Sequence, residues 1–185
     1  MNILDFTSDD FNKDSWIKDM YEKQEIVAKK YKDIERMPDY PMSIDSRNGQ
    51  IWGKDFLYRI LEEIQESQQS ILEPETSVII DGKDIHRSEE LADALHFYLE
   101  LLIIWGIKPI FLENAYKEYK YEEKSLLEAY NYGAYRIGMV GDCLKNKSWK
   151  QDMIRTDINK LRNRLKLLFF AILDLFRVNG NTDED

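Results

Sequence analysis

The stretch Ser88-Glu89-Glu90-Leu91-Ala92-Asp93-Ala94-Leu95-His96-Phe97-Tyr98-Leu99-Glu100-Leu101-Leu102-Ile103-Ile104-Trp105-Gly106 decides the fold. It opens on a helix cap and an acidic first turn, Ser88 followed by Glu89 and Glu90. It closes on Gly106, with Pro109 three residues later. At about 100° per residue, Glu89, Glu90, His96 and Glu100 all fall within about 60° of Asp93. Most of the remaining circumference is Leu, Ala, Ile and Tyr. A helix apolar nearly all round is a buried helix, and this one carries a narrow acidic stripe. The stripe is either the helix's only wet face or a set of ligands pointing into a metal-filled site.

The rest of the chain supports a helical setting. It has 185 residues, enough for one domain with a sizeable core, and only 8 Gly and 4 Pro. With 26 basic against 35 acidic residues the net charge is −9, which argues against nucleic acid as a partner and suits divalent cations where the acids converge. Cys143 is the single cysteine, so no internal disulfide forms and a cytoplasmic setting is expected. No leader pattern opens the chain. The most apolar run, Leu165 to Val178, is broken by Lys166 and Asp174 and is too short to span a bilayer, so no membrane association is expected.

Periodicity predicts an all-α fold, an antiparallel bundle of about five to six helices. Residues 1–14 read as an irregular lead-in, 15–178 as one domain and 179–185 as an acidic tail. A first helix from Ser15 to Met37 has the seam Trp16, Met20, Val27, Tyr31 and Ile34, with Gln24 standing where an apolar member is due. A carboxamide there is either a buried group satisfied by backbone or water, or a reader of a ligand's polar edge. Arg47-Asn48-Gly49 reads as a turn, and a second helix from Ile51 to Ser70 buries Phe56, Leu57, Ile60, Leu61 and Ile64. Glu63 borders that arc with Glu66 on the same flank, while Glu62 faces away. Leu72 to Arg87 is a connector with room for a small extended piece. Beyond a Tyr- and Glu-rich segment, a helix from Lys124 to Leu144 carries Gly133, Gly138 and Gly141, whose cost in helix stability suggests close approach by a neighbouring backbone or a ligand. Thr156-Asp157 caps a last helix to Val178, whose broad apolar arc suggests a subunit interface and hence a dimer.

Two helices thus each bring a carboxylate pair at i, i+3: Glu63 with Glu66, and Glu90 with Asp93. Packed together, four carboxylates cannot all stay ionised without a compensating cation. Oxygen ligands without Cys suit Mg²⁺ or Mn²⁺, and Mg²⁺ reaches for phosphate oxygens. A di-iron bundle wants two Glu-x-x-His motifs, whereas this chain offers Asp93-x-x-His96 and a lone His86 in the connector. Lys145, Asn146, Lys147, Trp149 and Lys150 form a positive cluster that suits polyphosphate, or equally complements a helix C-terminus.

Glu63-x-x-Glu66, 23 residues, then Glu90-Leu91-Ala92-Asp93 resembles the E-x-x-E…E-x-x-D signature of the all-α NTP pyrophosphatases, a group that includes dimeric dUTPases, dCTP/dUTP pyrophosphatases and MazG-like enzymes. The run into His96-Phe97, the first-helix Met20-Tyr21-Glu22-Lys23-Gln24 and the late Lys145-Asn146 resemble the dimeric dUTPase branch. The likeness spans roughly residues 15–152. It departs at Ser148-Trp149-Lys150-Gln151-Asp152, where that branch has an Asn, Arg-Gln and Gly-Tyr pattern, and so leaves the base preference open. The resemblance implies a homodimer that hydrolyses a dNTP, dUTP or dCTP, to dNMP and pyrophosphate with Mg²⁺. It implies that Glu63, Glu66, Glu90 and Asp93 hold the metal, with one of the catalytic acids Glu63 and Glu66 also orienting or deprotonating the attacking water, Glu63 being favoured by its place nearest the core. It further implies that Lys145, Lys147 and Lys150 meet phosphate, and that Gln24 and Asn146 read base or sugar. Trp149 is placed over the base or sugar, and His96 supports the ligands. The competing expectation is a non-catalytic helical interaction protein of the same fold.

Overall fold

The computed structural model describes residues 16–73, 75, 77–80, 83–144 and 155–180. Among them are six helices: α1 (Trp16–Lys32), α2 (Arg47–Leu72), α3 (Ile85–Ile104), α4 (Ile110–Glu118), α5 (Leu126–Gly141) and α6 (Ile158–Val178). The connector between α2 and α3 holds the two-residue strands β1 (Ile79–Ile80) and β2 (Lys83–Asp84), paired antiparallel with Ile79 opposite Asp84. The fold is therefore all-α. No helix among the described residues is long and apolar enough to cross a membrane.

α2, α3, α6 and α5 close a four-helix ring, each touching the next, while α1 lies on α3 and α4 bridges α1 and α6. α3 is the most deeply enclosed member. Leu91, Ala94, Tyr98, Leu99, Leu101, Leu102 and Ile104 have essentially no exposed surface. Burying each such Leu or Ile contributes about 1.5–3 kcal/mol. Tyr98 stacks on Phe169 of α6 at 5.9 Å, and its hydroxyl donates to the Leu165 carbonyl at 2.9 Å. The hydroxyl, which no apolar wall could leave unpartnered, thereby ties α3 to α6.

The ends of α2 and α3 were displaced relative to the sequence pattern for identifiable reasons. α2 begins at Arg47, because Ser46 caps it and accepts from the Gly49 amide at 3.0 Å. Arg47-Asn48-Gly49 is thus the helix's first turn and not a separate one. A Cβ on Gly49 would lie 2.1 Å from the Ser43 carbonyl oxygen, so only glycine fits there. α3 begins at Ile85, capped by Asp84, which accepts from the Arg87 amide. Ser88 is inside the helix and its hydroxyl donates to the Asp84 carbonyl at 3.0 Å. The far end behaves as its sequence predicts. Gly106 adopts φ +66°, and the amides of Gly106 and Ile107 donate to Ile103 and Leu102 in the two-bond glycine cap.

Glycine also sets the α2–α3 spacing. A Cβ on Gly53 would meet the Trp105 ring at 2.2 Å, and Trp105 Nε1 donates to the Gly49 carbonyl at 2.9 Å. With Phe56 beside Phe97 at 6.3 Å, these contacts fix an antiparallel register along both helices. In α5, a Cβ on Gly133 would meet the side chains of Leu175 at 3.3 Å and Ile64 at 3.7 Å, not the backbone or ligand its composition suggested; Gly138 faces nothing within 4 Å.

The broad apolar arc of α6 is taken up inside the chain. Leu161, Leu165, Leu168, Phe169, Ile172 and Leu175 are fully buried, and Phe170, Leu173 and Phe176 pack against the core. The observation that suggested a subunit interface is accounted for without one. α1 ends at Lys32 and does not run on to Met37; its buried seam is Ile17, Tyr21, Gln24 and Ala28, one position round from the expected line, and Val27, Tyr31 and, beyond the helix, Ile34 are exposed. Tyr21 sets this rotation by donating its hydroxyl to the Ile107 carbonyl at 2.9 Å. Gln24 lies on the seam in either register.

Candidate metal centre

The antiparallel register carries Glu63 of α2 to the face of α3 that holds Glu90 and Asp93. One carboxylate oxygen from each of the three lies within 4.8 Å of the other two. Glu63 and Glu90 are half-buried and Asp93 is exposed, so the trio sits at the rim of the core with one side open to solvent. Burial pushes the Glu63 carboxyl up to about 7, helped by a hydrogen bond to Glu90 and by the charges of Glu66, Glu90 and Asp93. A hydrogen bond between two carboxyl groups requires a proton on one of them. That proton performs, at neutral pH, the charge compensation a divalent cation would supply. The donor set is all oxygen, as Mg²⁺ or Mn²⁺ prefers. Residues on this site therefore fit a hard divalent ion.

Glu66 stands outside the trio. It is exposed, one turn along α2, with its charge acting on Glu63. Two histidines of α3 itself contact two of these carboxylates. His86 Nδ1 is 3.1 Å from Glu90 Oε1, and His96 Nδ1 is 3.3 Å from Asp93 Oδ1. His96 is thus placed as the sequence predicted. The role of His86 was not foreseen, since α3 starts earlier than expected and brings it to i, i+4 from Glu90.

One helical turn along α2 from Glu63 lies a second polar group of different character. Arg59 donates through two nitrogens to Glu35, at 2.9 and 2.8 Å, and through Nε to Asp55 at 3.0 Å. Its guanidinium also lies over the rings of Phe56 and Phe97, at 5.1 and 5.5 Å. Glu35, Asp55, Arg59, Trp52 and Ile51 line a cleft of about 340 Å³. Beside this group Glu100 is buried, its carboxyl raised to about 7 by burial first and the Glu35 charge second. A hydrogen bond from Gln24 and the charge of Arg59 pull the other way. The acidic stripe of α3 therefore splits: Glu89 is exposed, Glu90 and Asp93 join Glu63, and Glu100 turns inward to meet α1.

Lys145, Asn146, Lys147, Trp149 and Lys150 lie outside the described residues. Thr156, among the described residues that follow, is anchored to the start of α2. The Thr156 amide donates to Asp45 at 2.7 Å, and its hydroxyl accepts from Gln50 at 3.4 Å. Gln50 adjoins Ile51 and Trp52 of the cleft wall. Among the described residues, then, Glu63, Glu90 and Asp93 lie close together, with His96 beside Asp93, as grouped from the sequence. It missed Glu35, Asp55, Arg59 and His86. The i, i+4 pair Asp55/Arg59, with Arg59 next to the core residue Ile60, was the available signal.

No protein-family model matches this chain, and no curated protein or solved structure is significantly similar to it.

Proposed function

We propose that this protein is a Mg²⁺-dependent nucleoside triphosphate pyrophosphohydrolase that converts a dNTP, dUTP or dCTP, to dNMP and pyrophosphate. The observation that carries this reading is the convergence of Glu63, Glu90 and Asp93 from two helices, with the Glu63 carboxyl pushed up to about 7 by burial first and by its acidic neighbours second. Glu63, Glu90 and Asp93 would hold the ion, with Glu66 reaching in from the next turn. When bound, the ion neutralises charge on the phosphate oxygens. The chain's own residues do the rest. Glu63 or Glu66 accepts a proton from a water as its oxygen attacks the α-phosphorus. The bond from that phosphorus to the bridging oxygen breaks, and pyrophosphate leaves with the bond's electron pair. A carboxylate whose proton affinity lies near working pH is suited to that transfer. His86 and His96 hold Glu90 and Asp93 in orientation. Lys145, Lys147 and Lys150 would meet the departing phosphates, with Asn146 and Trp149 contacting the nucleoside.

The test is pyrophosphate release from a panel of dNTPs with Mg²⁺ and with Mn²⁺. Release that falls by at least about a thousandfold in Glu63→Gln, with the fold retained, supports the reading. A folded protein that releases none from any dNTP overturns it. A homodimer belongs to the same reading and is checked by sedimentation. The rival is a non-catalytic interaction module, favoured by the exposed apolar residues Leu72, Val78, Ile79 and Ile80 of one segment of the chain. Partner binding that needs neither metal nor nucleotide would favour that module.

A further inference from the structure

The net charge of −9 is unevenly spread. Residues 155–166 hold five basic side chains against one acid, Asp157, a local charge of +4, so the remainder of the chain carries −13. This stretch leads into α6 and forms its N-terminal part. Its cations fall into two groups. Arg164 and Lys166 turn to the body of the fold, where Arg164 meets Asp142 at the end of α5 at 3.1 Å and Lys166 meets Glu118 of α4 at 2.8 Å. Arg155, Lys160 and Arg162 are exposed, and among the described residues no hydrogen bond or ion pair engages their side chains. At about 100° per residue, the exposed Asn159 and Asn163 lie farthest from the buried line of Leu161, Leu165 and Leu168, with Lys160 on one side of them and Arg162 on the other. Asp157 accepts from the Asn159 and Lys160 amides, both at 3.0 Å, which holds its charge against the helix's own N-terminus.

The makeup of this face decides among anionic partners. A protein interface needs an apolar centre, and the sector from Lys160 round to Arg162 has none; the exposed Ile158 beside it lies outside the sector. Single-stranded nucleic acid is held by aromatic side chains on which its bases stack, and the sector holds no aromatic residue. A duplex presents its phosphates outward and is met by Lys, Arg and Asn without apolar or stacking contacts. The acids elsewhere do not cancel the attraction, because exposed charges farther apart than about 8 Å are largely screened at physiological ionic strength. The argument from net charge against nucleic acid therefore holds for the molecule as a whole and not for this face.

We propose that Arg155, Lys160 and Arg162, together with Asn159 and Asn163, form a surface that binds the phosphate backbone of a nucleic-acid duplex. The three cations neutralise phosphates, and the two carboxamides donate to phosphate oxygens. Thr156 ties this surface to Gln50 at the start of α2, about 20 Å along that helix from Glu63. The surface is thus separate from the carboxylate trio and needs neither metal nor nucleotide hydrolysis.

The experiment is fluorescence anisotropy of a labelled DNA duplex of about 20 base pairs titrated with the full chain, at salt between about 50 and 200 mM. EDTA is present, so that no ion at the trio bridges to phosphate. Three phosphate contacts predict saturable binding whose log K falls against log salt with a slope of about −3. Changing any one of Arg155, Lys160 and Arg162 to Gln makes the slope shallower by about one, and the triple variant binds at least about tenfold more weakly at the lower salt. These exposed substitutions leave the helix intact, as circular dichroism checks. Lys29→Gln with Lys30→Gln, two exposed cations of α1, changes affinity by less than about twofold. An RNA duplex of the same sequence distinguishes the two kinds of backbone, and saturable binding of either supports the proposal. No binding of either duplex at the lower salt, a triple variant that binds as wild type does, or a single strand bound as tightly as the duplex overturns it. So does displacement by polyglutamate matched for charge, which would make the partner an acidic protein.

Discussion

The same two helices carry two clusters of charge one turn apart on α2, and they are built on opposite principles. Around Arg59, every carboxylate has a cation or a donor: Glu35 and Asp55 bond the guanidinium directly, and Glu100 accepts from Gln24. Around Glu63 there are three acids, and their partners are one another and two histidines. The first cluster is complete as it stands and stabilises the junction of α1, α2 and α3. The second is left electrostatically unsatisfied, as metal and active sites are. The difference separates a cluster of matched charge from one of crowded like charge on two helices that pack together.

Removing a charge should therefore have opposite effects on stability at the two places. Arg59→Ala strands Glu35 and Asp55 and removes the cation over Phe56 and Phe97. It is expected to destabilise the fold by about 3 kcal/mol, read from urea or thermal unfolding. A loss below about 0.5 kcal/mol would erase the contrast between the clusters.

Glu100 sharpens the comparison through pH. Its folded-state carboxyl is raised to about 7 from an ordinary 4.5. Between those values the folded chain holds a proton that the unfolded chain has released, so stability falls as pH rises across that window and levels off above it. The loss is at most about 3 kcal/mol. Glu100→Gln should flatten that part of the stability–pH curve relative to wild type without altering the region below it.

At the trio, His86→Ala is expected to weaken Mg²⁺ binding about tenfold while leaving the Arg59 cluster untouched, because a group that orients a ligand acts on affinity. The smallest effect is on stability itself. Without metal, Glu63→Gln relieves like-charge crowding and should leave the melting point unchanged or raise it by up to about 1 kcal/mol equivalent. A marked destabilisation would mean that the trio, too, is structural.

How much of this was legible in the sequence follows from the range of each interaction. α2, α3 and α6 were readable because their apolar residues recur at helical period over five or more turns, and the α3 stop was written in Gly106. The carboxylate trio was readable because an i, i+3 pair on each of two helices needs only that the helices pack. The seam of α1 was misjudged by one position. Two adjacent lines of apolar residues run along that helix, and the choice between them was made by a hydrogen bond from Tyr21 to Ile107, 86 residues away. The start of α3 was misplaced because Asp84 and Ser88 are both good caps, and the short β hairpin decided for Asp84. Of the Arg59 cluster only the i, i+4 pair with Asp55 left a trace, because Glu35 lies in the turn after α1, 24 residues from Arg59, and such pairings have no periodic signature. The inward turn of Glu100 was hidden for the same reason, since its partner Gln24 belongs to another helix.

The central claim is that Glu63, Glu90 and Asp93 form one divalent-cation site, and Mn²⁺ binding followed by electron paramagnetic resonance tests it most directly. The account predicts saturable Mn²⁺ binding by the wild-type chain, displaced by Mg²⁺, and weakened at least about a hundredfold in both Glu63→Gln and Asp93→Asn. A wild-type chain that binds no Mn²⁺, or variants that bind it as tightly as wild type, would contradict it.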